Sequence, residues 1–323
     1  YFIKFAIKNE NEEIFKFLFD QIKTSIQIDQ QEILCRKLLI YSTIKKCFPI
    51  LKYTIENKNN EVNITQAIIK CLLISAENGY ERIFDYLLKL QPDCENQFLV
   101  DELKNKFLII VQSRNINIIK SVMKLINDEK YLKMIIFDAF VDESNMLLKE
   151  ECRSTHLNAK ESALFSVPNV TEFLISQLDK VIPEFLLAAT IADSIEAVKA
   201  IVSRNSSYNF LNRVVNQIGN ALIIACRIRS LKIVRFLLNE CPEIDPNIQV
   251  FFNRDNYTPL MISFANRSIE IIREIIEFYQ SRNKDFHTEN ESSTGNNQCA
   301  KEIQKALSMV TETSANGDFE GLL

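Results

Sequence analysis

The chain has 323 residues, 47% of them apolar, and contains no tryptophan. Its formal net charge is −4 with basic and acidic residues interspersed, which argues against a nucleic-acid-binding face, because such a face needs clustered Lys and Arg. Only five Gly and seven Pro occur, a composition that favours helix over sheet.

Neither membrane insertion nor a disulfide framework is indicated. The longest apolar run, residues 185–192, is far shorter than the roughly 20 residues that a transmembrane helix needs. The eight cysteines are scattered and form no C-x-x-C motif, so we expect buried, reduced thiols that behave as small apolar side chains. These features together predict an intracellular, cytoplasmic protein.

One pattern recurs along most of the chain. An apolar first anchor is followed eleven residues later by a second anchor, and the residue three positions after the first anchor is usually small. Small side chains are needed where two helices cross closely, so each copy predicts two short helices packed against each other. The anchor pairs are Ile3/Ile14, Leu39/Ile50, Leu72/Ile83, Phe107/Ile118, Ala159/Val170, Leu186/Ala197, Leu222/Ile233 and Leu260/Ile271.

The clearest copy runs from Arg254 to Phe278. Thr258 is placed to cap a helix that starts with Pro259 at its first position, where proline loses no needed hydrogen-bond donor. The copy resembles the ankyrin repeat, with Met261 where the family has His and Arg267 where it has the turn Gly. The positions that match are Asp255, Thr258, Pro259, Leu260, Ile271, Ile272, Ile275 and Ile276.

The predicted fold is an all-α, ankyrin-type helical solenoid of eight to nine degenerate repeats that is irregular in the middle. We expect ankyrin-like repeats over 1–127, an irregular helical region over 128–161 and further ankyrin-like repeats over 162–280. A flexible polar linker is predicted over 281–298, and a helical tail that begins another repeat over 299–323. The irregular region could hold one weak pair, Ile135/Met146. A HEAT or tetratricopeptide solenoid is the alternative, but the eleven-residue spacing favours the shorter ankyrin helices.

No catalytic, cofactor or metal site is predicted. Cys152 and His156 are spaced four residues apart and could share one helix face, but a structural zinc site needs four ligands and no second pair lies nearby. The chain has no Gly-rich phosphate loop and no nucleophile-elbow motif. We therefore expect neither an enzyme nor a small-molecule substrate.

The resemblance implies an interaction scaffold that binds a partner protein through its concave face. In ankyrin repeats the contacts come from loop tips and from the exposed side of each first helix. Here those positions are Gln217, Asn220, Ile223, Arg254, Asp255, Asn256, Tyr257 and Met261. The alternative is a regulatory or targeting segment of a larger enzyme, suggested by a chain that opens inside a helical pair.

Overall fold

The computed structural model describes residues 2–90, 97–151, 164–165, 167–215, 218–252 and 255–286. These residues form seventeen helices and one two-stranded hairpin, which confirms the all-α prediction. The chain divides into two compact units, an N-terminal unit, Tyr1–Leu132, and a C-terminal unit, Lys133–Leu323.

The elements follow one another in pairs. The N-terminal unit contains α1 Phe2–Lys8, α2 Glu12–Ser25, α3 Ile28–Ile44, α4 Phe48–Glu56, α5 Thr65–Glu77, α6 Glu81–Lys89, α7 Gln97–Gln112 and α8 Ile116–Ile126. After α9 Glu129–Glu151 come α10 Pro168–Gln177, α11 Pro183–Ile191, α12 Ile195–Val202, α13 Tyr208–Leu211, α14 Ala221–Arg227 and α15 Leu231–Glu240. The chain then forms β1 Val250–Phe252, β2 Asp255–Tyr257, α16 Pro259–Ala265 and α17 Ile269–Phe286.

The predicted anchors fall on these pairs. In the seven complete pairs each first anchor lies in the first helix and each second anchor in the second, and nearly all are at most 7% exposed. Ile14 on α2 differs, because it is 51% exposed. Ala159 lies outside the described residues.

A left-handed residue turns the chain between the two helices of every pair. It stands seven positions after the first anchor and has φ between 52° and 72°. The residues are Glu10, Lys46, Gly79, Arg114, Asp193, Arg229 and Arg267. The ankyrin turn glycine is therefore replaced at six of these seven positions, although the backbone keeps the conformation that glycine adopts most easily.

Two backbone hydrogen bonds close six of the seven turns, and one of the two closes the seventh. The left-handed residue donates its N–H to the carbonyl three residues back, at 2.9–3.3 Å in all seven pairs. In six pairs the next residue donates to the carbonyl five residues back, at 2.8–3.0 Å, which completes a Schellman motif. That second acceptor belongs to the small residue of the repeat pattern, such as Ser42, Ala189 or Ser263, so one residue serves both the helix contact and the turn.

The serines among the small residues are buried with their hydroxyls hydrogen-bonded. Ser42, Ser75 and Ser263 are 0% exposed, and each donates its hydroxyl to a carbonyl of its own helix at 2.8–3.0 Å. A buried hydroxyl is costly only when it lacks a partner. These serines therefore act as small core residues, as the repeat pattern predicts.

The middle of the chain contains one long helix in place of a short helical pair. Residues 129–151 form the single 23-residue helix α9 rather than the weak helical pair Ile135/Met146. Its Phe140 is fully buried and packs edge-on against Phe165, at 5.3 Å between ring centroids. Residues 152–163 lie outside the described residues.

The expected polar linker begins later than the composition suggests. Helix α17 continues through Phe286, so 281–286 belong to the helix, although they are mostly polar. The remainder of the predicted linker, 287–298, and the predicted helical tail, 299–323, lie outside the described residues.

Replacing a left-handed residue with glycine should stabilise the fold. Arg267 has φ 56° and an exposed side chain, and an L residue pays roughly 1–2 kcal/mol in this conformation. We expect Arg267→Gly to raise the free energy of unfolding in urea by about 0.5–1 kcal/mol, after the greater chain entropy of glycine is subtracted. Arg267→Ala removes the same charge but keeps Cβ, so it is the matched control, and an equal gain from both variants would contradict the explanation.

The buried thiols should be unreactive in the folded protein. Cys35, Cys47, Cys71, Cys226 and Cys241 are free and buried, and burial raises the pKa of Cys226 to about 12. Because the thiolate is the reacting form, we expect these five to react with a thiol reagent at pH 8 at least about 100-fold more slowly in the folded than in the urea-unfolded chain. Five of the eight cysteines belong to this buried set, so rapid modification of four or more cysteines would contradict the packing.

Candidate interaction surface of the C-terminal unit

A short β-hairpin, which we call the finger, lies between α15 and α16 in the chain and consists of β1 Val250–Phe252 and β2 Asp255–Tyr257. Strands β1 and β2 pair antiparallel, with Val250 opposite Tyr257 and Phe251 opposite Asn256. Adjacent residues of a strand point to opposite faces, so these two cross-strand pairs lie on opposite faces of the finger. One pair is buried, since Val250 is 5% and Tyr257 is 7% exposed.

The other face of the finger is open to solvent. Phe251 is 58% exposed, and its cross-strand neighbour Asn256 is exposed as well. A large aromatic side chain and an amide therefore stand side by side on a strand pair whose opposite face is anchored in the core.

The loop that leads into the finger is held from two sides. On one side, the Tyr279 hydroxyl of α17 contacts the Pro246 carbonyl at 3.1 Å and Asn247 Oδ1 at 2.8 Å. On the other side, Asn212 donates from Nδ2 to the Glu243 carbonyl at 2.7 Å. Asn212 also accepts the Asp245 N–H at 2.8 Å. These bonds limit the freedom of residues 241–249 and thereby fix the start of β1.

A smaller turn occupies the corresponding place ahead of α14. Val215 and Gly219 form an isolated antiparallel bridge, and the Val215 N–H donates to the Gly219 carbonyl at 3.3 Å. Arg227, at the end of α14, donates from Nη2 to the Ile218 carbonyl at 3.2 Å. Arg213 and Val214, just before the bridge, are exposed.

Several residues that the repeat pattern places on the surface belong to helix caps instead. Thr258 accepts the Met261 N–H at 3.3 Å, and the Thr258 N–H donates to the Met261 sulfur at 3.4 Å. Asn220 accepts the Ile223 N–H at 3.0 Å through Oδ1. The expectation that Asn220, Ile223 and Met261 are exposed is wrong, because they are only 0%, 0% and 3% exposed beneath the turns that precede their helices.

The other expected contact residues are placed as follows. Asn256 is exposed, whereas the ring of Tyr257 packs inward. Asp255 pairs with Phe252 at the end of the hairpin. Gln217 and Arg254 lie outside the described residues.

Phe251 is the exposed residue that the sequence reasoning missed. The ankyrin pattern directs attention to the residues after the turn, and β1 lies before it. No alternation marks it in the sequence, because residues 250–252 are all apolar. Only the observed register shows that 251 and 256 share the outward face.

Neither metal binding nor membrane insertion is supported by the described part of the chain. No group of three or more His, Cys, Asp and Glu side chains is arranged there to hold a metal ion. None of the helices in the described ranges is both long and apolar enough to cross a membrane. Cys152 and His156 lie outside the described residues.

Comparison with known proteins identifies the repeats. Residues 185–289 match the family model described as "Ankyrin repeats (3 copies)". The match covers the three helical pairs α11/α12, α14/α15 and α16/α17, together with the finger. No curated protein matches the chain.

Gly219 should be needed for the turn ahead of α14. Its φ is 106°, outside the left-handed helical region that other residues adopt, and an added Cβ would lie 2.5 Å from Ile223 Cγ2. We expect Gly219→Ala to lower the free energy of unfolding by about 2–3 kcal/mol.

Gly79→Ala is the matched control for this prediction. Gly79 has φ 72°, and the nearest atom to an added Cβ is the Ser113 carbonyl oxygen at 3.2 Å. We expect Gly79→Ala to lower the free energy of unfolding in urea by only about 1 kcal/mol. Equal losses in the two variants would show that the turn ahead of α14 does not depend on Gly219.

Proposed function

We propose that this chain, which carries three ankyrin repeats over residues 185–289, is a scaffold or adaptor that binds a partner protein through its C-terminal unit. Ankyrin repeats are generally protein–protein interaction modules, and stacked repeats offer surface residues that can vary without disturbing the core. The observation that carries the proposal is the exposed Phe251–Asn256 pair on a finger whose opposite face is buried.

The chemistry of the finger suits a binding hot spot. Aromatic side chains dominate binding energies because they bury a large area while losing little conformational freedom. Asn256 beside Phe251 can donate and accept hydrogen bonds, which would orient a partner around the buried ring. We infer that the partner offers an apolar pocket to Phe251 and a polar rim to Asn256.

Preorganisation favours tight binding at this site. A mobile loop would lose conformational entropy on binding, which costs roughly 0.5–1.5 kcal/mol for each flexible side chain that is immobilised. The hydrogen bonds from Tyr279 and Asn212 already restrain the residues before β1 in the unbound chain. The free-energy cost of ordering the finger when the partner binds is therefore smaller.

Neighbouring residues would extend the same surface. We propose that Gln217, Arg254 and Asp255, which the repeat pattern names, also contact the partner. The exposed Arg213 and Val214 ahead of α14 would add to the same surface. Asn220, Ile223 and Met261 support the surface from beneath rather than contacting the partner, because they are buried. The free, buried thiols support the prediction of an intracellular, cytoplasmic location.

The proposal is tested by finding the partner and then removing the aromatic side chain. The full chain serves as bait in a native lysate with chemical cross-linking, and the captured protein is purified for titration. We expect Phe251→Ala to weaken binding at least about tenfold, or about 1.4 kcal/mol, because the ring fills the partner's pocket.

Phe17→Ala is the control, since Phe17 is similarly exposed, at 66%, but lies on α2 of the N-terminal unit. It should leave the affinity within a factor of about two, as expected for a residue outside the interface. Unchanged affinity in Phe251→Ala, or an equal loss in Phe17→Ala, would contradict the placement of the binding surface on the finger.

A further inference from the structure

Tyr208, the first residue of α13, is the most open tyrosine that the structure describes. It is 49% exposed, whereas every other tyrosine in the described ranges is buried or half-buried. Its hydroxyl donates to Asp245 Oδ2 at 3.4 Å, much longer than the roughly 2.7–2.8 Å of a typical O–H···O hydrogen bond. The hydroxyl is therefore open to solvent and only weakly held.

The chain on the amino-terminal side of Tyr208 is accessible as well. Arg204, Ser206 and Ser207 are exposed, and 205–207 form neither helix nor strand. A modifying enzyme must bind the backbone around its target, and exposed loops allow this more readily than packed helices do. The segment before Tyr208 meets this requirement.

Buried neighbours fix the backbone at Tyr208. Phe210 and Leu211 of the same short helix are 5% and 1% exposed, so they anchor α13 in the core. A group added to the Tyr208 hydroxyl would therefore enter the space next to Asp245, which the hydroxyl already contacts.

Asp245 is the residue at which the α13 side of the repeat holds the loop before the finger. Its N–H donates to Asn212 Oδ1 at 2.8 Å, and its Oδ1 accepts the Asn247 N–H at 2.9 Å. Asn212 also donates from Nδ2 to the Glu243 carbonyl at 2.7 Å. A displacement of Asp245 would therefore break a contact with Asn212 that restrains residues 241–249.

The charges around Asp245 favour its displacement by an added anion. A phosphate ester carries about −1.5 to −2 charges at pH 7. The exposed Glu243 adds another negative charge in the same loop. Like charges repel more strongly near a protein surface than in bulk water, so a phosphate on Tyr208 would push Asp245 away from α13.

Two arginines lie close to Tyr208 in the sequence. The guanidinium of Arg204 donates to the backbone carbonyls of Ser176 and Leu178, so it is already engaged by another segment. Arg213 is exposed. Pairing of Arg213 with the phosphate would tighten the loop instead of loosening it, which is an opposite and measurable result.

We propose that Tyr208 is a phosphorylation site that releases the finger. The Tyr208 hydroxyl oxygen attacks the γ-phosphorus of ATP on a tyrosine kinase, the bond to the β,γ-bridging oxygen breaks and ADP leaves, and the phenolic proton passes to the catalytic carboxylate of the kinase. The phosphate repels Asp245, the hold of Asn212 is lost, and the start of β1 is no longer fixed. The regulatory role rests on the proposed function, because a released finger then binds the partner less tightly.

The first test asks whether the folded full chain is modified. It is incubated with Mg²⁺, ATP and a panel of recombinant tyrosine kinases, and the occupancy of each tyrosine is followed by mass spectrometry. We expect at least one kinase to phosphorylate Tyr208 at least about tenfold faster than the half-buried Tyr86, and Tyr208→Phe to remove that product. Absence of phosphate on Tyr208 with every kinase, or equal rates at the two tyrosines, would overturn the proposal.

The second test measures what the phosphate does to the loop. Phosphotyrosine is installed in place of Tyr208 in the full chain by genetic code expansion, and hydrogen–deuterium exchange is measured without a partner. The Asp245 amide should exchange at least about tenfold faster than in the wild type, because its bond to Asn212 is broken. Unchanged exchange contradicts the release, and so does slower exchange, which is the result expected if Arg213 pairs with the phosphate.

Tyr86 provides the matched control for this measurement. Its hydroxyl lies 3.5 Å from Glu56 Oε1, so it also stands beside a carboxylate, but it belongs to the N-terminal unit. Phosphotyrosine in place of Tyr86 should leave the exchange of the Asp245 amide unchanged. Tyr208→Phe adds no charge and should alter that exchange less than about twofold. Equal acceleration in either control would show that the phosphate beside Asp245 is not the cause.

Binding of the captured partner separates this inference from the proposed function. Phosphorylation of Tyr208 should weaken the affinity at least about fivefold, because the loop must be ordered again on binding. If Phe251→Ala weakens binding but phosphorylation does not, the regulatory role is wrong and the proposed function stands. If Phe251→Ala has no effect, the proposed function fails and the regulatory role fails with it, whatever the exchange at Asp245.

Discussion

The left-handed turn between the two helices of each repeat is the constraint on which the rest of the structure depends. It reverses the chain within three residues, so the two helices must lie against each other. In six of the seven pairs the small residue that allows this contact also accepts one of the hydrogen bonds that close the turn. Neither helix would be stable alone at these lengths. The two packed helices of one repeat are therefore the smallest structural unit of the fold. This unit still needs neighbouring repeats to cover its apolar faces.

This dependence explains how the sequence can diverge while the fold persists. Lys46, Arg114 and Arg229 occupy a position for which glycine is best suited, and each pays for the left-handed backbone. The penalty is tolerable because the backbone hydrogen bonds of the turn, two at Lys46 and Arg229 and one at Arg114, act together with the buried anchors on either side to hold the conformation. Replacement of the turn glycine by other residues thus lowers the stability of the fold without changing its topology.

Much of the fold could be predicted from sequence because the repeat leaves a periodic signal. Leu260 and Ile271 predict the helical pair, and Thr258-Pro259 predicts where α16 begins. The long helix α9 could not be predicted as one element, because the acidic residues Asp142 and Glu143 interrupt its apolar stripe without breaking the helix. Nor could the end of α17, since the polar residues of 281–286 are compatible with either a linker or a solvated helix.

The exposure of the candidate site residues follows from the sequence less well than the fold does. A family pattern identifies positions but not their burial, so Asn220, Ile223 and Met261 were placed on the surface although they lie beneath it as caps and supports. Phe251 was missed because it belongs to the strand before the turn. Specificity in a scaffold resides in such variable exposed residues, which no local pattern constrains.

Hydrogen–deuterium exchange of the chain, alone and bound to its captured partner, tests the central claim most directly. Our account predicts that backbone amides of residues 250–257 exchange more slowly in the complex, while amides in the core helices α14 and α16 are unchanged because they are already protected. If the amides of 250–257 exchange at the same rate with and without the partner, the finger is not the binding surface and the proposed function of the C-terminal unit is wrong.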